Sequence, residues 1–266
     1  MSTLPSIHNL AKMKAKQEKI SMLTVYDASM AALMNQAGID VILVGDSLGN
    51  VIQGHTTTVP VTLDDICYHT RCVARGNETA LLLADMPFMS YATVDDALKT
   101  ATALMRAGAQ FVKLEGGESV VPCVRALVAA GISVCGHLGL TPQSVHHLGG
   151  FKVQGRDEAT ANRLLREAQA LEDAGCCLLV LECVPAGLAA DITAQLGIPT
   201  IGIGAGSGTD GQVSVTYDLL GIVPGKPLKI AKNFLAVSEN GVLGAFQAYR
   251  EAVKAQTFPA VEHIFE

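Results

Sequence analysis

The chain has 266 residues, 49% of them hydrophobic and 17% charged, with a formal net charge of -6. That is ample apolar material for a core in one large domain or two small ones, while the acidic balance argues against nucleic acid, whose phosphates require a basic face. No apolar stretch approaches the roughly 18 residues that cross a bilayer. The seven cysteines, without C-x-x-C spacing or a secretory signal at Met1, point to a reducing cytoplasm.

Lys12, Lys14, Lys16 and Lys19 read as the solvated side of a short leading helix. A first apolar run, Leu23 to Asp27, is followed by a helical segment from Ala28 to Ala37 that ends at Gly38, a good C-cap. The pattern then repeats. The run from Val41 to Ser47 precedes a helix from Leu63 to Arg75, and Leu81 to Asp85 precedes one from Val94 to Ala107. Phe111 to Gly117 leads to Val120–Ala130, and Val134 to Gly139 to Ala159–Ala174. Leu178 to Cys183 leads to Ala186–Leu196, and two further runs lie at Thr200 to Gly204 and, more weakly, Leu219 to Val223.

Short apolar runs bounded by turn signals fit strands buried on both faces of a parallel sheet. Strand, helix and glycine recur at about 25 to 35 residues, the length of a βα unit. Eight such units predict an α/β chain folded as a (βα)8 TIM barrel, one catalytic domain over residues 1–266 with a short N-terminal helix. An open doubly wound sheet is the alternative.

In parallel strands the carboxyl ends converge, and so do Asp46, Asp85, Glu115, His137 and Glu182. Carboxylates gathered around one cavity are costly unless a cation or proton neutralises them, which predicts a metal-dependent enzyme. Asp46 and Asp85 are candidate ligands for Mg2+, a hard ion that keeps several waters. Each could instead cap the following helix; for Asp46 both readings stand, and for Asp27, which opens a helix, the cap is preferred. Lys113 and Glu115 are two apart on one strand and share a face, with Val112 and Leu114 pointing away.

Glu115 reads as a third ligand or as an outer group orienting metal-bound water. Lys113 reads as an anchor for an anionic substrate, or else as a buried ion-pair partner of Glu115. Glu182, after four apolar residues, is a candidate general base whose burial would raise its pKa, with a helix-terminal acid as the bland alternative. His137, set among Gly136 and Gly139, suits a supporting hydrogen-bonding role, although lone histidines in apolar settings are more often core residues. The stretch Ile201 to Gly211 holds a formal G-x-G-x-x-G late in the chain, where clearance for a bulky ligand at Gly202 and Gly204 is preferred to dinucleotide binding. Neither G-x-S-x-G nor H-E-x-x-H occurs, so hydrolase and zinc-protease readings have no support.

Several longer stretches go beyond spacing. They include Val44-Gly45-Asp46-Ser47-Leu48-Gly49, Leu83-Ala84-Asp85-Met86-Pro87-Phe88 and Val112-Lys113-Leu114-Glu115-Gly116-Gly117. Gly136 to Ser144, Leu181-Glu182-Cys183-Val184-Pro185, Ile201 to Gly206 and Ala231-Lys232-Asn233-Phe234 extend the set. From about Lys16 to the C-terminus the sequence resembles the ketopantoate hydroxymethyltransferase family. The resemblance implies transfer of a hydroxymethyl group from 5,10-methylenetetrahydrofolate to 3-methyl-2-oxobutanoate through a Mg2+-stabilised enolate, in pantothenate synthesis. It also implies a homo-oligomer, commonly a decamer. Carried over by residue, it makes Asp46 and Asp85 the Mg2+ ligands with Glu115 beside the metal. Ser47 and Lys113 would hold the substrate carboxylate, Glu182 would take the proton, and His137 would support from behind. A folate-free, Mg2+-dependent lyase or phosphomutase on a related barrel is the competing expectation.

Overall fold

The computed structural model describes residues 6–266. Eight parallel strands close into a barrel in sequence order, with β8 pairing back onto β1. They are β1 (Ile20–Thr24), β2 (Val41–Val44), β3 (Leu81–Asp85), β4 (Phe111–Glu115), β5 (Val134–Gly139), β6 (Leu178–Glu182), β7 (Thr200–Ile203) and β8 (Gly211–Ser214). The open-sheet alternative is thereby excluded. Around the barrel run α2 (Ala28–Ala37), α4 (Leu63–Gly76), α5 (Val94–Ala107), α6 (Val121–Ala129), α8 (Glu158–Asp173), α9 (Ala186–Gln195) and α11 (Gly241–Lys254), with the short α3 (Leu48–Val51), α7 (Val145–Leu148) and α10 (Thr216–Leu220) in the connections.

The two-residue period of a strand divides the core in two. Outward positions such as Ile42, Leu82, Val112, Leu114, Leu179 and Leu181 join the apolar layer under the helices. Inward positions such as Val41, Leu43, Leu81, Leu83, Phe111, Cys135, Leu178 and Val180 fill the barrel itself. Continued one or two steps, the inward stripe arrives at Asp85, Lys113, Glu115, His137 and Glu182, so apolar layers below support a polar layer at the mouth.

The leading helix α1 (Ile7–Ala15) closes the opposite end, with Leu10 buried among the inward residues and Ile7 and Met13 packed beside it. Its lysines are not all solvated. Lys12 and Lys16 are exposed, but Lys14 pairs with Asp210 at 2.8 Å and donates to the Thr193 carbonyl, and Lys19 donates to the carbonyls of Ser207 and Thr209. Both lysines fasten the loop between β7 and β8 to the N-terminal segment.

The eighth strand lies eight residues earlier than the apolar pattern suggests. Leu219 and Leu220 end α10, and Ile222 and Val223 are exposed in the loop beyond it. The real strand, Gly-Gln-Val-Ser, offers one apolar side chain to the barrel, Val213. It opens on a glycine because a Cβ there would lie 2.3 Å from the Ile20 carbonyl oxygen. The closing seam is braced from outside by fully buried Tyr249 of α11, whose hydroxyl lies 3.0 Å from the Met22 carbonyl and 2.9 Å from that of Gln212. Tyr249→Phe removes that donor from two buried carbonyls and is expected to cost about 1–2 kcal/mol of stability, read as a lower melting temperature.

Candidate active site

Strand register sets which polar groups become neighbours. Asp85 stands opposite Lys113, Glu115 opposite His137, and Gly139 opposite Glu182. Lys113 Nζ meets Asp85 Oδ1 at 2.5 Å, with both side chains almost fully buried. The buried ion pair of Lys113 is therefore with Asp85 and not with Glu115. Burial works against the ammonium, but Asp85, Glu115 and Asp46 outweigh it and hold the lysine pKa well above its ordinary value. Two of its three N–H donors remain for other partners.

Asp46 follows β2, in the turn that enters α3. It does not cap that helix, whose N-terminus has no side-chain hydrogen bond. Its backbone N–H donates to Asp85 Oδ2 at 3.0 Å, which brings the two aspartates together. Asp85 and Glu182 do not cap helices either: α5 is capped by Thr93, and α9 has no side-chain cap. Asp27 does cap, accepting from the Met30 N–H at 2.9 Å. Ser47 bonds the Tyr26 hydroxyl at 2.8 Å, and that hydroxyl also donates to Thr24 Oγ1.

His137 lies between two carboxylates. Nδ1 is 3.3 Å from Glu115 Oε1 and Nε2 is 3.3 Å from Glu182 Oε2, with neither nitrogen in hydrogen-bond alignment. Burial disfavours a charged imidazole, but Glu115 and Glu182 outweigh it and raise the pKa to about 9. Burial likewise presses on Glu115, and His137, Lys113 and the Gln143 N–H overcome it to leave that carboxyl below its ordinary range. Glu182 keeps 17% of its side chain exposed, so the enclosure suggested by its apolar strand is incomplete.

Asp46, Asp85, Glu115 and Glu182 face only Lys113 and His137 as cations, an excess of two negative charges when all are ionised. Asp46 bears the consequence. Its carboxyl is pushed well above the usual range by burial and then by the charges of Asp85 and Glu115. Among the described residues, no three His, Cys, Asp or Glu side chains form a ready-made metal cage. The donor set nevertheless suits Mg2+, which commonly takes one or two carboxylates and completes its shell with water and substrate oxygens.

Residue-type reasoning passed over three members of the site: Tyr26, Tyr91 and Gln143. Gln143 donates from Nε2 to Asp46 Oδ2 at 2.8 Å and to the Met86 carbonyl at 3.0 Å, and from its backbone N–H to Glu115 Oε2 at 3.0 Å. The Tyr91 hydroxyl donates to Gln143 Oε1 at 2.5 Å. The sequence signals were their places after β1, β3 and β5 and, for Gln143, the stretch from Gly136 to Ser144. The glycine-rich stretch after β7 is also not what the sequence suggests. A Cβ on Gly202 would lie 2.8 Å from Thr209 Oγ1, and one on Gly204, at φ +60, would lie 2.6 Å from Ile230. Those glycines accommodate the protein's own loops, not a ligand.

The model of the ketopantoate hydroxymethyltransferase family matches residues 5–261. The chain belongs to that family. A 3-methyl-2-oxobutanoate hydroxymethyltransferase of Burkholderia vietnamiensis is 57% identical over 260 residues, covering 98% of this chain and 96% of the relative. One from Marinobacter nauticus is 56% identical over 261 residues, covering 98% of each. Membership makes the chain an enzyme, a hydroxymethyltransferase. Phosphoenolpyruvate phosphomutase of Streptomyces platensis subsp. rosaceus superposes with a TM-score of 0.61 over 81% of this chain and 83% of its own, at 14% identity. That likeness shows the barrel alone, so the lyase or phosphomutase expectation yields to the ketopantoate hydroxymethyltransferase family. No helix among the described residues is long and apolar enough to cross a membrane.

The Lys113–Asp85 pair has a direct test. Lys113→Met leaves Asp85 buried without its counter-charge and is expected to cost about 3–5 kcal/mol, measured as a lowered melting temperature of the metal-free protein.

Proposed function

We propose that the protein transfers a hydroxymethyl group from 5,10-methylenetetrahydrofolate to 3-methyl-2-oxobutanoate, giving ketopantoate for pantothenate synthesis. The observation that carries this reading is the polar layer at the barrel mouth, which unites an acid-rich pair, a buried cation and a half-buried carboxylate within a chain of this family. The names of the relatives supply the keto acid, and the chemistry of the layer suits an α-keto acid losing a proton at C3.

In this reading Lys113 and Ser47 hold the substrate carboxylate. Lys113 does so with the N–H donors that Asp85 does not use, and Ser47 is steadied by Tyr26. Asp46 and Asp85 are the residues that would hold Mg2+, with Glu115 beside it, and the bound cation would serve as a Lewis acid toward the 2-oxo group. Glu182 takes the proton from C3, and the electron pair of that C–H bond moves into the enolate. His137 stands 3.3 Å from Glu182 and supports it from behind. The enolate carbon attacks the methylene carbon presented by the folate as an iminium. Water then supplies the hydroxyl group to that carbon as its C–N bond breaks, and the water's remaining proton goes to the folate nitrogen as tetrahydrofolate leaves. We assign the working form to a homo-oligomer, of decamer size in the family pattern.

The test is ketopantoate formation from both substrates with and without magnesium. Product that needs folate donor and metal together supports the reading, and none from folded, magnesium-supplied protein ends it. Glu182→Gln is expected to keep keto-acid binding while lowering kcat by roughly 10²- to 10⁴-fold. Unimpaired turnover would remove Glu182 as the base.

A further inference from the structure

We propose that Gln143 is a positioning residue that fixes which oxygen of Asp46 faces the barrel mouth, and that Tyr91 holds Gln143 in that role. The inference rests on the magnesium reading above and concerns how the chain presents Asp46 to the cation.

Gln143 lies in the tight turn Pro142–Ser144 after β5 and is only 4% exposed. The Met86 carbonyl can only accept, so the amide atom that faces it is the nitrogen. An amide is planar, which fixes the direction of the second N–H on the same nitrogen. That N–H meets Asp46 Oδ2. The amide oxygen, on the other side, accepts from the Tyr91 hydroxyl. Tyr91 is itself tied to β4, its hydroxyl lying 3.3 Å from both the backbone nitrogen and the carbonyl oxygen of Glu115. One neutral side chain thus joins the ends of β2, β3 and β4 to the loop after β5.

Neutrality suits this position. Asp46 sits beside Asp85 and Glu115, whose charges favour turning its carboxylate away. A lysine in place of Gln143 would hold the carboxylate but cancel one of the two excess charges that suit a divalent ion. The amide holds Oδ2 without cancelling charge. Its bond falls on Oδ2, and among the described residues Oδ1 has no hydrogen-bond partner in the protein. Tyr91 secures the amide oxygen, so the side chain cannot turn without losing bonds at both ends.

The experiment uses the full-length enzyme with Gln143→Met, close in length but without donors, and Tyr91→Phe, which lacks one hydroxyl. Magnesium is titrated by calorimetry with saturating keto acid and no folate donor, and its half-activating concentration is measured in turnover. Gln143→Met is expected to raise both constants about 10- to 100-fold, with kcat largely recovered at saturating magnesium. Tyr91→Phe is expected to shift both in the same direction by a smaller factor. A side chain that merely fills space would lower the melting temperature and leave the half-activating concentration unmoved; that result in the folded variants overturns the proposal. Should Gln143→Met fail to fold, Tyr91→Phe carries the test alone. Wild-type enzyme that binds no magnesium in the same titration removes the magnesium reading and this proposal with it. Wild-type binding with unaltered variants removes this proposal only.

Discussion

Four carboxylates brought together at a buried barrel mouth repel one another, and most of the polar detail at the strand ends offsets that repulsion. Lys113 answers Asp85 directly, and His137 stands between Glu115 and Glu182. Asp46 receives only a neutral side-chain donor, and crowding by Asp85 and Glu115 in a buried site raises its carboxyl well above the usual range. Asp85, Glu115 and His137 are held on strands in fixed register, so their crowding is a property of the fold. A site of this kind gains from a divalent cation and from a substrate that brings oxygens to it.

The barrel beneath makes this tolerable. Inward positions alternate with outward ones along every strand, so the stripe that ends at Glu115 begins at Phe111, and the stripe that ends at Glu182 begins at Leu178. Apolar layers under the polar one exclude water from below. The polar groups therefore experience each other strongly, as the raised pKa of His137 shows.

Much of this was legible in the chain itself. Strands buried on both faces announce themselves as apolar runs, and five of them lead to the groups that matter. Asp27 declared itself a cap through the helix it opens. Legibility failed where structure depends on contacts distant in sequence. The eighth strand has a single inward apolar residue and is defined by its fit against β1, so the apolar leucines of α10 drew the prediction away. Gly202 and Gly204 looked like room for a ligand because nothing local shows that Thr209 and Ile230 fill that space. Gln143 and Tyr91 were passed over because an amide and a phenol carry no charge to flag them; only the fold shows that their bonds converge on Asp46 and Glu115.

Leu10 gives the barrel a floor. With α1 seated across one end and side-chain layers filling the middle, the described residues leave no passage through the barrel from that end to the acidic layer. What reaches the strands' carboxyl ends therefore arrives and departs on the side away from α1.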